Sequence, residues 1–361
     1  MDQIKSMARP QNQRNSTFPL TNRARQKPRR FPLVLRFIKG SIHRDIFASL
    51  LVHALWSALV IYIDRTTSLN IRLPSNITSS ISIVVGLLLV FRNQSSYYRF
   101  WSGQEHLTTV CVSVRNLTRS FLACSYVSNK SEPSSAERNE VEDAVHVLLA
   151  FAYATKHTLR FEWSTVAGAT LGNLTTELDG DSPGLLKADV AALLPPDMRR
   201  SFEHQGLGLP VQLSYAVEGF IKRGHDRGWF HSPQASQLTV QVNQMIAAYS
   251  AMETIRLTPL PVAYQIHTKQ VLALFGGVLP FGFLASLGWW TILVVSLINF
   301  TLYGIEAIAE QLEEPFGYDR NDIKMDGILE DLKVEVDVLL HQWRVRDAMF
   351  GRNCKDQGPL I

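Results

Sequence analysis

The sequence predicts an all-α membrane protein with four transmembrane helices per subunit, continuous with a helical polar region. Three charge-free windows predict it. Residues 270–305 form a run of 36 without Asp, Glu, Lys or Arg, and at about 1.5 Å per helical residue such a run crosses a ~30 Å hydrocarbon core twice. Residues 46–63 and 73–91 form two more, of 18 and 19 residues, each long enough for one crossing. The near-zero mean hydropathy of the whole chain hides these windows, because a basic N-terminal arm and a large polar section offset them.

The first window, IFASLLVHALWSALVIYI, is strongly apolar and interrupted by His53. The second opens on NITSSIS and only then becomes VVGLLLVF. A lipid-facing helix has no use for a polar first half, so this span is expected inside a bundle or along a pore, where neighbours or water satisfy its hydroxyls. The long window divides near Ala285-Ser286-Leu287-Gly288 into a helical hairpin, with Trp289 and Trp290 suited to an interfacial belt. Residues 1–44 carry eleven Lys or Arg against the single acid Asp2. By the positive-inside rule this arm, and with four spans the other terminus too, is expected in the cytoplasm. It lacks an apolar signal-peptide core, and its Pro and Asn content favours a tail held near anionic lipid over a transit peptide. Little aromatic interleaving accompanies its arginines, so no nucleic-acid partner is expected.

The polar section from 93 to 268 is predicted helical, with amphipathic helices over 140–158 and 237–252. Turn formers at 127–137 and 171–208 predict flexible insertions, and the section is expected to extend the membrane bundle without a core of its own. Enzyme motifs are missing: no phosphate loop, CxxC pair, HExxH or GxSxG elbow occurs. Three cysteines in 361 residues exclude a disulfide scaffold. His53, His106, His146 and His157 lack ligand spacing and are expected to be structural or surface residues. The chain is therefore not expected to be an enzyme.

Three constellations remain. FRNQSSYYRFW at 91–101 places Arg92, Asn93, Ser96, Tyr97, Arg99 and Trp101 at the end of the second window. PLPVAY at 259–264, with Pro261 and Tyr264, precedes the third span. IEAIAEQLEEPFGYDRND at 305–322, with Pro315, Phe316 and Gly317, follows the fourth, and residues 306–337 hold eleven acids against Arg320, Lys324 and Lys333. Read alone, these are interfacial anchors, a loop and a solvated acidic face. The acids miss the spacing of a calcium hand, since Asp319, Asp322 and Asp326 fall at offsets 0, 3 and 7.

In this order and with these spans, the three motifs resemble the bestrophin family, in its prokaryotic, plant and fungal branch. The resemblance covers about half the chain, including all four spans. It implies a homopentamer around a central pore, passing chloride and other monovalent anions, with membrane lipids as surroundings. A cation-permeable relative and a non-conducting scaffold are the alternatives. The membrane is expected to be the plasma membrane, with an organellar membrane as the alternative. The family's hydrophobic neck falls on Ile83, Leu87 and Phe91, whose i, i+4, i+8 spacing lines one helix face. Five copies would stack three apolar rings able to gate by dewetting. Ser79, Ser80 and Ser82 are then expected in the outer vestibule. The animal members' calcium clasp maps onto Gln311, Glu314, Asp319 and Asp322, so Ca²⁺ is the one cofactor to consider, as a regulator. Arg320 and Asn321 interrupt the acidic turn, and a cation there weakens Ca²⁺ binding. A second constriction is nominated at residues 242–246. The resulting division is 1–44 basic arm, 45–92 spans one and two with the neck, 93–268 helical cytoplasmic region, 269–308 spans three and four, and 309–361 acidic turn with a C-terminal helix.

Overall fold

A computed structural model describes residues 42–67, 71–125, 134–160, 188–196, 198–199, 208–319 and 321–356. The basic arm up to residue 41, most of the first predicted insertion and most of the second lie outside the described residues. The described elements are helical: α1 (His43–Thr66), α2 (Ser75–Cys124), α3 (Ser135–Leu159), α4 (Ala188–Ala191), α5 (Leu209–Asp226), α6 (Ser232–Leu257), α7 (Val262–Leu287), α8 (Trp290–Glu313) and α9 (Met325–Asp356). They fall into two compact units, the first containing the described parts of 42–103 and 255–323, the second those of 104–254 and 324–356. The division cuts elsewhere than the sequence-based one. The 50 residues of α2 run without a break across position 92, because FRNQSSYYRFW contains no Gly or Pro to stop a helix.

The first unit holds the apolar helices. Among the described residues, four helices, α1, α2, α7 and α8, are long and apolar enough to cross a bilayer. Val85 and Leu89 of α2 pack on Leu272, Phe275 and Leu279 of α7 and Val295 of α8. Val60 and Ile61 of α1 pack on Leu284 of α7. Lipid tails are as apolar as these side chains, so association in a bilayer rests on close packing and polar links. Trp56 Nε1 donates to the Gly277 carbonyl at 2.9 Å, and the His53 ring nitrogens lie 2.7 Å from the Ser49 carbonyl and 3.3 Å from that of Ala273. The hairpin turn falls where the sequence places it. Gly288 ends α7 at φ +51°, a conformation that L side chains rarely adopt, and Arg65 stacks over Trp289 beside it at 5.4 Å.

The second unit has a core of its own, contrary to the sequence-based expectation. Val110, Val114, Leu117 and Phe121 of α2 are fully buried, at i, i+4, i+7 and i+11 on one helix face. They are joined by Val145, Leu148 and Leu149 of α3, Leu213 and Val217 of α5, Val242 and Met245 of α6, and Leu329, Leu332 and Val336 of α9. Phe121 meets Phe220 at 4.7 Å between ring centroids. The amphipathic faces of 140–158 and 237–252 appear as α3 and α6, both longer than predicted. α3 begins in a capping box: Ser134 bonds the Ala136 N–H and Glu137 returns to the Ser134 N–H.

At the other end of α3, Lys156, His157 and Arg160 are buried where the macrodipole favours cations. Their partners stand in the first turns of two other helices. Asp189 of α4 lies 2.8 Å from His157 Nε2 and 3.2 Å from Lys156 Nζ. Asp326 of α9 lies 2.8 Å from Arg160 and 3.3 Å from Lys156. Burial raises both carboxyl pKa values, but the hydrogen bonds and charges of His157 and Lys156 at Asp189, and of Arg160 and Lys156 at Asp326, outweigh it and hold both below the usual range. Groups depressed in the folded state contribute stability in full above their unfolded values near pH ~4 and lose it as pH falls through the folded values. The full chain in detergent should therefore melt at progressively lower temperature below about pH 4. Asp326→Asn should cost about 1–3 kcal/mol at neutral pH and flatten that acid dependence; a melting temperature with unchanged pH dependence would contradict the assignment.

Candidate functional site

α2 divides its apolar residues between two faces. Val85 and Leu89 are 1% and 3% exposed, whereas Ile83, Leu87 and Phe91 are 73%, 55% and 55% exposed. The cause is the 3.6-residue turn: at about 100° per residue, Ile83 and Phe91 lie about 40° to either side of Leu87. Val85 and Leu89 lie about 160° away, against α7 and α8. The three neck residues named from the resemblance thus share one open face. Ser80 lies about 20° from Leu87 on that face, Ser79 about 80° round, and Ser82 about 140° round. Ser80 and Ser82 are exposed but spend their hydroxyl hydrogens on the carbonyls of Asn76 at 2.9 Å and Ser79 at 2.7 Å.

Directly after Phe91 the same helix carries a buried guanidinium. Arg92 is 1% exposed, donates from Nη2 to Glu313 Oε2 at 2.8 Å, and has Nε 3.5 Å from Glu306. The other Glu313 oxygen accepts the Leu260 N–H at 3.2 Å and Gln265 Nε2 at 2.6 Å. Two turns on, Arg99 donates to the carbonyls of Glu313 at 3.0 Å, Thr258 at 2.7 Å and Ile255. One carboxylate at the end of α8 therefore ties together all three sequence motifs. Sequence reasoning singled out Arg92 and Arg99 as motif members but missed Glu306 and Glu313 as their partners. The seven-residue spacing of those two glutamates, two helical turns on one face of α8, was the available signal.

The remaining motif residues frame this junction. Ser96 is fully buried, while Tyr97 and Trp101 are exposed and stack with their planes 13° apart. Pro261 caps α7, its carbonyl accepting the half-buried Tyr264's N–H at 2.9 Å. Pro315 and Phe316 are buried, and the Pro315 carbonyl accepts the Ile323 N–H at 2.9 Å. Gly317 allows a close approach, since a Cβ there would stand 2.7 Å from Asp322 Oδ2 and displace that carboxylate. That oxygen accepts the Asp319 N–H at 2.7 Å and so closes the turn.

The nominated calcium residues make local contacts. Gln311 Oε1 accepts from Asn321 at 2.7 Å, Glu314 pairs with Arg256 at 3.1 Å, and Asp322 serves the turn. Among the described residues, no group of three or more His, Cys, Asp or Glu is arranged to hold a metal ion. Within the region nominated for a second constriction, Val242 and Met245 are fully buried, whereas Asn243 and Gln244 lie on the exposed side of α6 with Val240.

Removing one partner of a buried ion pair leaves the other charge uncompensated, at about 3–5 kcal/mol. Glu313→Gln should therefore lower the melting temperature of the purified protein more than Glu314→Gln, whose carboxylate is 64% exposed and whose pair contributes at most about 1 kcal/mol. Equal effects in a thermal-shift assay would remove Glu313 from its central place.

Comparison with known proteins places this architecture. A family profile for bacterial and fungal bestrophin proteins matches residues 22–338. The chain is 33% identical to a voltage-dependent anion channel-forming protein of Nostoc sp., over 84% of its own length and 89% of the relative's. It is 30% identical to one of Synechocystis sp., over 87% and 93%. Among solved structures, a bacterial bestrophin homologue from Klebsiella pneumoniae superposes with a TM-score of 0.68 at 23% identity, covering 82% of this chain and 98% of that one. The fold is shared, the family profile spans both compact units, and the chain belongs to the bestrophin family.

Proposed function

We propose that the chain is the subunit of a passive anion channel in which five copies surround a pore lined by α2. The observation that carries this reading is the open apolar stripe of Ile83, Leu87 and Phe91 on a helix whose opposite face is fully packed. An isolated subunit gives these side chains no partner, and lipid contact does not explain why the same face continues into Ser80 and Asn76. A narrow passage formed by symmetry-related copies explains both: polar where it is wide, apolar where it is tight. The relatives named as anion channel-forming proteins support the choice of ion.

In this reading the neck binds nothing. Three apolar rings exclude water when narrow and admit hydrated ions when slightly wider, so small movements of α2 gate the pore. Arg92 sets the depth and rotation of the rings, since it holds the helix to Glu313 one residue after Phe91. The four apolar helices span the membrane, with the basic arm, both termini and the second unit on the cytoplasmic side of the plasma membrane. Chloride and other monovalent anions are the permeant species. Conduction in this reading requires no Ca²⁺, and the contacts of Gln311 with Asn321 and of Glu314 with Arg256 favour a weakened calcium response.

Purified full-length protein in planar bilayers under a chloride gradient tests the reading. The current should reverse near the chloride equilibrium potential. Reversal near the sodium potential would favour the cation-permeable alternative, and silence would favour a scaffold. Leu87→Ala should widen the tightest part of the pore and raise conductance or open probability several-fold, on the order of the change produced by ~1–2 kcal/mol of lost apolar contact. An unchanged single-channel record would take Leu87 out of the pore.

A further inference from the structure

Taking the pore reading as its basis, we infer that Gln94 and Tyr98 form the anion-selecting ring, at the inner end of the apolar neck. An anion leaving the neck must recover the hydrogen-bond donors its water shell provided, so the selecting group has to offer free N–H or O–H groups. On α2 most hydroxyls cannot. Ser80, Ser82 and Ser95 each donate to a carbonyl three or four residues back, at 2.9, 2.7 and 2.9 Å. What they turn outward is lone pairs, which suit cations and water. The two arginines of this stretch are withdrawn too. Arg92 and Arg99 lie about 140° and 120° around the helix from Leu87 and are spent on Glu313, Glu306 and backbone carbonyls.

Gln94 and Tyr98 differ on both counts. Their positions, seven and eleven residues past Leu87, put them within about 20° of it on the neck face. Both are exposed, Tyr98 by 71%, and among the described residues neither side chain donates or accepts a hydrogen bond. The neighbouring aromatics are accounted for, since Tyr97 and Trp101 stack on each other. Five copies would therefore present five amide and five phenol donors just beyond Phe91, uncharged and thus strong enough to favour an anion without trapping it. The ring would matter most for strongly hydrated chloride and least for weakly hydrated thiocyanate.

Bi-ionic recordings of the full-length channel test this with Tyr98→Phe and Gln94→Leu. Each variant should lower the chloride-to-sodium and chloride-to-thiocyanate permeability ratios by about threefold to tenfold, the range that one ordinary hydrogen bond commands. Unchanged ratios in both variants, on a wild-type channel that conducts chloride, would overturn the ring while leaving the channel reading intact. A wild-type protein without anion current would overturn both. In parallel, Gln94→Cys and Tyr98→Cys should be blocked by a water-soluble thiosulfonate that leaves the wild-type current unaffected, and protection of both positions would also overturn the assignment.

Discussion

Arg92 cannot be buried without Glu313, and that constraint organises the apolar unit. A guanidinium at 1% exposure carries a desolvation cost that only a close carboxylate and further hydrogen bonds can offset. Glu313 supplies the carboxylate with one oxygen and spends the other on the loop before α7, while Glu306 adds a second negative charge 3.5 Å from Nε; among the described residues, Nε and Nη1 themselves make no hydrogen bond. Because Arg92 directly follows Phe91 on a continuous helix, satisfying the charge also fixes which way the helix turns its apolar residues. The face that carries Ile83, Leu87 and Phe91 is open because the face that carries Arg92, Val85 and Leu89 is held inward.

This coupling gives the three sequence motifs a single physical account. FRNQSSYYRFW supplies the cations, the helix before PFG supplies the anion, and the segment around PLPVAY supplies backbone donors and acceptors. Arg99 repeats the scheme two turns further on with carbonyl oxygens. Charges placed this way serve geometry, and from Asn76 to Tyr98 the open face carries uncharged groups. In the proposed channel, that separation keeps a fixed charge away from the neck, where it would hold an ion instead of passing it.

The second unit follows soluble-protein rules. Its helices bury apolar faces against each other, and its charges pair at helix ends, with Lys156, His157 and Arg160 at the end of α3 meeting Asp189 and Asp326 at the starts of α4 and α9. Exposed pairs such as Arg115 with Glu335 and Arg223 with Glu140 add little to stability by comparison. α2 contributes to both units, to the apolar unit up to Gly103 and to the core of the second from Leu107 onward.

The sequence by itself determined what depends on local chemistry. Charge-free windows marked the apolar helices, Gly288 marked the hairpin, and the 3.6-residue period put Ile83, Leu87 and Phe91 on one stripe. What depends on distant partners is set by how the helices pack. Periodicity can say that residues share a face, but whether the face is open or packed depends on helices α7 and α8, far along the chain. The same distance hid Glu313 as the counter-charge of Arg92, the core that α9 completes for the second unit, and the commitment of Gln311 and Glu314 to Asn321 and Arg256. Composition reveals a supply of charges and apolar groups, whereas their pairing is set by which helices can approach closely enough to repay desolvation.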